Sequence, residues 1–207
     1  MKKAFTLVEL IIVIAVIGIL STVLQPRLEQ DRLQEAIEQV LKHIRYTQHL
    51  AMNNDVYDHN ENQWYKRRWQ IQFTKCLNTN IYRIYSDTNL GGSCDHNEAA
   101  IDPQSNLSLY FRNGTCKQNS IRDDENINLY LKYDIANITF SGGCPGIKSI
   151  GFDIYGRPYS SVNTSASSTD KLMYQNCLIT LFLSNGKNAT ITLEKETGYV
   201  RVTNWSI

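Results

Sequence analysis

From Phe5 to Leu24 the chain reads FTLVELIIVIAVIGILSTVL, twenty residues with a single ionisable group, Glu9. No other feature limits the fold so severely. As an α-helix this run spans roughly 30 Å, the hydrocarbon thickness of a bilayer. A surface that is apolar all the way round needs lipid or other chains to cover it. Lys2 and Lys3 precede the run and by their charge stay cytoplasmic, so the rest of the chain faces outward. A secretory signal peptide also joins a basic head to an apolar stretch. Here the stretch is too long for an ordinary one, and no small-x-small site followed by a polar mature start closes it.

The pattern continues past Pro26 in a different form. Leu33, Ile37, Val40, Leu41, Ile44 and Ala51 recur at spacings of threes and fours, which marks one helical face. Pro26 is read as a kink rather than an end, because the pattern resumes so soon. Asn53 and Asn54 are the stop signals. The spacing thus predicts one helix over 5–54, membrane-spanning over 5–24 and amphipathic over 25–54, after a short head at 1–4. Glu9 is the anomaly, since a carboxylate in a membrane helix costs about 2.5–3.5 kcal/mol on insertion scales. Either it reaches water or the lysines at the cytoplasmic edge, or it awaits a positive partner supplied on assembly.

Beyond residue 55 the period changes from 3.6 to 2. Trp69, Ile71 and Phe73 alternate with Gln70 and Gln72, as in a half-buried strand. Further strand-like runs are Ile81–Tyr85, Leu107–Phe111, Ile127–Tyr133, Ile138–Phe140 and Ser149–Tyr155. Cys177–Leu183, a turn at Asn185-Gly186, Ala189–Leu193, a turn at Gly198 and Tyr199–Val202 form a meander. The expected fold class is α+β, a long helix packed on a mostly antiparallel sheet or sandwich that forms a head over 55–207. Ser160–Asp170, SSVNTSASSTD, reads as a polar, mobile loop.

Residues 2–10, Lys-Lys-Ala-Phe-Thr-Leu-Val-Glu-Leu, resemble the class III leader of type IV prepilins and type II secretion pseudopilins. The resemblance implies cleavage by a prepilin peptidase between Ala4 and Phe5, followed by N-methylation of Phe5. Ala4 stands where the family usually has glycine. Glu9 matches the family's acidic fifth residue, which meets the N-terminal amine of a neighbouring subunit and guides entry into the filament. An ammonium beside a buried carboxylate removes a penalty that the lone subunit carries. Three looser patterns resemble the GspH/FimT-like minor subunits: Trp69-Gln-Ile-Gln-Phe73, Phe152-Asp-Ile-Tyr-Gly-Arg-Pro158 and Thr197-Gly-Tyr-Val200. The fold so implied is the pilin lollipop. The implied place is the bacterial inner membrane with the head in the periplasm, then a pseudopilus or a cell-surface pilus. The implied partners are other pilin subunits, the peptidase, an inner-membrane assembly platform and the bilayer itself.

Chemistry is sparse in the rest of the chain. There is no HExxH, G-x-S-x-G, Walker or G-x-G-x-x-G motif, and no cofactor or catalytic residue is expected. Cys94 and His96 lie close in sequence but do not make the four-ligand set of a zinc site. Ser86–Glu98 offers oxygen donors for calcium without ordered ligand spacing, so no metal is assigned. The five cysteines suit an oxidising compartment, and Cys144–Cys177, at strand ends, is the first disulfide candidate. Two of Cys76, Cys94 and Cys116 could pair, and spacing alone does not choose which.

Lys66, Arg67 and Arg68 lie between Trp64, Tyr65 and Trp69, a basic patch with aromatic neighbours that could contact nucleic acid. A net charge of +1 and a pI of 7.6 favour reading it as a solvated strand end. The expectation is a non-enzymatic minor pilin or pseudopilin. The alternatives are a DNA-binding minor pilin serving competence or twitching, and a singly anchored periplasmic enzyme.

Overall fold

A computed structural model describes residues 6–76, 79–111, 124–146 and 149–206, with the side chains of 22–31 set aside. Helix α1 runs from Leu7 to Asn53 with Thr6 as its N-cap and Asn54 as its C-cap. It is helical on both sides of Pro26 without a break; the expected kink there lies among the residues without described side chains. Beyond 31 the helix is two-sided. Leu33, Ala36, Ile37, Val40, Ile44 and Ala51 are buried in the hydrophobic core that the described residues share. Leu41 is only half-buried, while His43 and Thr47 join the buried face.

The head that covers this face holds two four-stranded antiparallel sheets. Strands β1 (Gln70–Cys76) and β2 (Thr79–Tyr85) pair from Gln70↔Tyr85 to Cys76↔Thr79. β4 (Ser149–Phe152) adds to the other edge of β1 and β5 (Pro158–Ser160) to β4, giving the order β2-β1-β4-β5. The second sheet contains β3 (Ile135–Gly142), β6 (Cys177–Leu183), β7 (Asn188–Leu193) and β8 (Val200–Ser206), in the order β3-β6-β7-β8. β6 shows the expected alternation, with Cys177, Ile179, Leu181 and Leu183 buried and the residues between them half-buried. The fold is therefore α+β, one long helix laid against antiparallel sheets.

Three expected strands fall differently. Ile127–Tyr133 is not a strand. Ile127 ends a single 3-10 turn, and Leu129–Tyr133 is a short helix, α2. Asn128 caps it by accepting from Leu131 N–H, and Asp134 closes it in the left-handed region at φ 61°. These side-chain and backbone bonds outweigh the aromatic and aliphatic strand propensity of the segment. Leu107–Phe111 makes only an isolated bridge, Ile101↔Ser108, within the described residues. Ser149–Tyr155 stops at Phe152, because Asp153 accepts from the backbone N–H of Tyr155 and Arg157 and bends the chain.

The polar segment 160–170 is tied down rather than loose. Tyr65 Oη donates to Ala166 O and Arg68 Nη2 to Ser168 O, while Val162 and Ser165 are buried.

Cys144 and Cys177 are joined by a disulfide with a Cα–Cα separation of 5.1 Å. It fixes the turn after β3 to the start of β6. Cys76 is disulfide-bonded as well, Cys116 lies outside the described residues, and Cys94 is a buried free thiol.

Because Ile44 has no exposed surface and faces the sheets, Ile44→Ala leaves a cavity that cannot be rehydrated cheaply. The expected loss is about 2–5 kcal/mol by urea unfolding of the full chain in detergent. Leu41→Ala, at the half-buried edge, costs much less.

Candidate functional site along the helix and its seam with the head

The two halves of α1 have opposite surroundings. Leu7, Val8, Leu10, Ile11, Ile12, Val13, Ile14, Val16, Ile17, Ile19 and Leu20 are all exposed. Among the described residues no helix is long and apolar enough to cross a membrane. Of the apolar run, residues 6–21 are described with their side chains. An exposed apolar surface of this extent marks a place for lipid or other chains.

Thr6 and Glu9 form a capping box at the head of this stretch. Glu9 Oε2 accepts from Thr6 N–H at 2.9 Å and from Thr6 Oγ1 at 2.8 Å, and Thr6 Oγ1 accepts from Glu9 N–H at 3.3 Å. The carboxylate is thus satisfied within its own chain. Ala4 and Phe5, the expected cleavage and methylation positions, lie outside the described residues.

Polar side chains fasten the rear half of the helix to the head. Arg45 Nη2 donates to Val200 O, Tyr46 Oη to Ile101 O, and Gln48 Nε2 to both Gly156 O and Thr197 O. Gln48 therefore joins the two loose tail patterns of the sequence, the Phe152–Pro158 turn and Thr197–Val200. Both glycines of this joint have positive φ, +78° at Gly156 and +65° at Gly198. A Cβ on Gly198 would sit 2.3 Å from Gly156 O and 2.5 Å from Gln48 Nε2. No larger residue fits there without parting the seam.

A buried polar node lies one turn earlier. His43 Nδ1 is 2.6 Å from Tyr82 Oη, and His43 Nε2 is 3.4 Å from Asp102 Oδ2. Lys42 Nζ approaches the same carboxylate oxygen at 3.5 Å. Gln39 Nε2 also lies 3.1 Å from His43 Nε2, so a neutral imidazole has three polar partners here, Gln39 and Asp102 at Nε2 and Tyr82 at Nδ1. Burial lowers the His43 pKa from 6.5 to about 4, against the opposing pull of Asp102. Burial pushes the Asp102 carboxyl up, but the Gln104 backbone N–H, His43 and Lys42 more than offset it and hold Asp102 below its usual value. One signal for this node is legible in the sequence: His43 falls in helical register with Val40, Ile44 and Thr47.

The Lys66–Arg68 run does not form one basic face. It straddles the end of a 3-10 turn, Trp64–Arg67, so its members point to different surroundings. Lys66 Nζ donates to Gln63 Oε1, and Arg67 pairs with Asp58 at 3.5 Å and Glu61 at 3.8 Å. Arg68 is only 4% exposed, its guanidinium lying 4.0 Å from the Tyr159 ring centroid. Of these three candidate nucleic-acid contacts, Arg67 is paired with carboxylates and Arg68 is buried, while Lys66 bonds only an amide oxygen.

The 86–98 loop also spends its carboxylates internally. Asp87 accepts from Gly91 and Gly92 N–H, while Glu98 accepts from Thr88 Oγ1, Asn89 N–H and Asp95 N–H. Among the described residues no group of three or more His, Cys, Asp or Glu is placed to hold a metal ion. Burial pushes the Cys94 thiol up to about 12, which keeps it protonated and unreactive.

Residues 1–24 match the prokaryotic N-terminal methylation motif, the hallmark of type IV prepilin-like proteins, pilins and pseudopilins. No curated protein and no solved structure matches the chain. The motif thus marks a pilin-like or pseudopilin subunit in general, with processing by a prepilin peptidase and the company of other pilin subunits.

The His43 node makes stability depend on pH with a definite sign. The folded state disfavours the imidazolium, so its pKa of about 4 lies below the unfolded 6.5. The stabilising effect of a neutral His43 is complete above pH 6.5 and is lost as the pH falls towards 4. The loss is about 3 kcal/mol at most. Urea midpoints of the wild type are expected to fall steadily between those pH values, and those of His43→Gln to fall much less. A flat wild-type profile contradicts the assignment.

Proposed function

We propose that this chain is a non-enzymatic minor subunit of a type II secretion pseudopilus or type IV pilus. One observation carries the reading. The methylation motif runs without a break into a helix whose front half is apolar on every side and whose rear half is committed to the head. Such a subunit has a built-in division of labour. The rear half and the head, about residues 25–54 and 55–207, make the folded unit, and the front half is the surface reserved for lipid and then for other subunits.

In this account residues 5–24 cross the inner membrane, with the head in the periplasm. A prepilin peptidase cuts between Ala4 and Phe5, and Phe5 is N-methylated. Before assembly, Thr6 satisfies Glu9 through its N–H and hydroxyl, which lowers the cost of keeping a carboxylate in an apolar setting. On entry into the filament the methylated amine of a neighbour takes up the charge of Glu9. An ion pair in a low-dielectric bundle is favourable only when its geometry is good, so the exchange selects register. The helices then bundle as the filament core, and the heads face outward. The assembly platform and its energy source are separate proteins. The DNA-binding alternative has little to stand on, since Arg67 and Arg68 are paired or buried.

Glu9→Val tests the reading. The variant is expected to reach the membrane and to lose its leader normally. Its share in sheared filaments should drop about tenfold or more, the factor that losing about 1.4 kcal/mol at each joint gives. Undiminished incorporation would contradict the role given to Glu9.

A further inference from the structure

We infer that the cleft at the C-terminal end of α1 binds a small carboxylate-bearing ligand, gripped by Arg68 and Trp69 between aromatic walls. The cleft has a volume of about 300 Å³. It lies between the helix end (Ala51, Asn54), the 3-10 segment (Trp64, Arg68) and the turn after β4 (Asp153, Tyr155). A volume of this order suits an amino-acid-sized or monosaccharide-sized body.

The floor of the cleft holds donors without acceptors. Arg68 is only 4% exposed; its Nη2 donates to Ser168 O at 2.7 Å and its guanidinium lies 4.0 Å from the Tyr159 ring centroid. Its Nε and Nη1 are buried with no hydrogen-bond partner, and Trp69 Nε1, on the same cleft, is equally unpartnered. Buried N–H groups of native proteins are nearly always paired, and those of a guanidinium are the costliest to leave bare.

Among the described residues no acid lies within ion-pair distance of Arg68, although Asp153 is near. Asp153 is taken up by Arg157 Nε at 2.8 Å, Tyr159 Oη at 3.2 Å and two backbone N–H groups. The missing component is therefore an acceptor for these N–H groups, and a guanidinium favours a charged one.

The rest of the cleft narrows the choice. A carboxylate offers two oxygens in the plane that a guanidinium fork matches. Asp55 and Asp153 line the same space, and a phosphate dianion would set twice the charge of a carboxylate against them. The walls include Tyr57, Trp64 and Tyr159, with Tyr57 and Tyr155 at the exposed rim, 62% and 75% exposed. These flat faces favour a planar or apolar body behind the carboxylate. The unpartnered nitrogens are closed off from solvent, so the ligand reaches them by parting that rim. The proposal stands apart from the assembly reading and holds or fails without it.

The test is a titration of the full mature chain in detergent micelles, its tryptophan indoles labelled with nitrogen-15. Its three tryptophans give three indole signals. Hippurate is the probe and hippuramide, its uncharged twin, the control. Hippurate is expected to shift the Trp69 signal saturably while Trp205, on β8, stays still. Hippuramide should bind about tenfold more weakly or not at all.

Arg68→Met should abolish the response. If that variant loses the Trp205 signal of the folded head, Tyr155→Ala, at the exposed rim, replaces it and should weaken hippurate binding several-fold. Parallel titrations with acetyl-alanyl-phenylalanine and glucuronate then separate a peptide terminus from an acidic sugar as the source of the carboxylate. An unmoved Trp69 signal under hippurate, or equal responses to hippurate and hippuramide, would overturn the proposal.

Discussion

The rest of the structure depends on the burial of one helical face against the head. Leu33, Ala36, Ile37, Val40, Ile44 and Ala51 share a core with both sheets. The leucine, isoleucine and valine side chains among these each contribute roughly 1.5–3 kcal/mol when removed from water. An isolated helix would gain little from its own propensity, and the packing holds this one in register. The same contact explains why the head needs the helix. Its sheets bury their inner residues, among them Ile71, Ile150, Ile179 and Ile191, in the same core. Without the helix face this core would lie open on one side.

That constraint separates the two halves of α1 in purpose. The rear half cannot be exchanged for contacts with another chain without unfolding the head. The front half exposes its large apolar side chains and contributes none to the core. A subunit built this way can be moved from lipid into a bundle of like helices while its head stays folded. The polar fastenings support the division: Arg45, Tyr46 and Gln48 reach carbonyls of the head at three separate places. Gln48 also explains why two short glycine-bearing patterns far apart in the chain belong together. Gly156 and Gly198 let two turns close on one amide group, and a Cβ on Gly198 would collide with both partners.

The helix and the meander were legible because their periodicity is strong and local. Asn53 and Asn54 marked the end of α1, and Asn185-Gly186 marked the β6–β7 turn, where Gly186 takes φ +90°. Ile127–Tyr133 misled because its bulky residues fit a strand, whereas the caps at Asn128 and Asp134 impose a helical turn. Three consecutive cations read as a patch because sequence shows charge but not burial, and Arg68 is stacked beneath aromatic rings. The polar 160–170 segment read as loose because its anchors, Tyr65 and Arg68, lie about a hundred residues away. The cleft could not be read at all, since its walls come from segments spread between Ala51 and Thr169.

The central claim is that the front of α1 is a processed assembly surface and not a discarded signal or a plain anchor. Intact mass and N-terminal sequencing of the chain purified from its own membrane test this most directly. The account predicts a mature chain that begins with N-methylated Phe5 and keeps Glu9 and the whole helix. A chain still beginning at Met1, in cells whose prepilin peptidase cleaves its other substrates, would contradict it, as would a cut near residue 24.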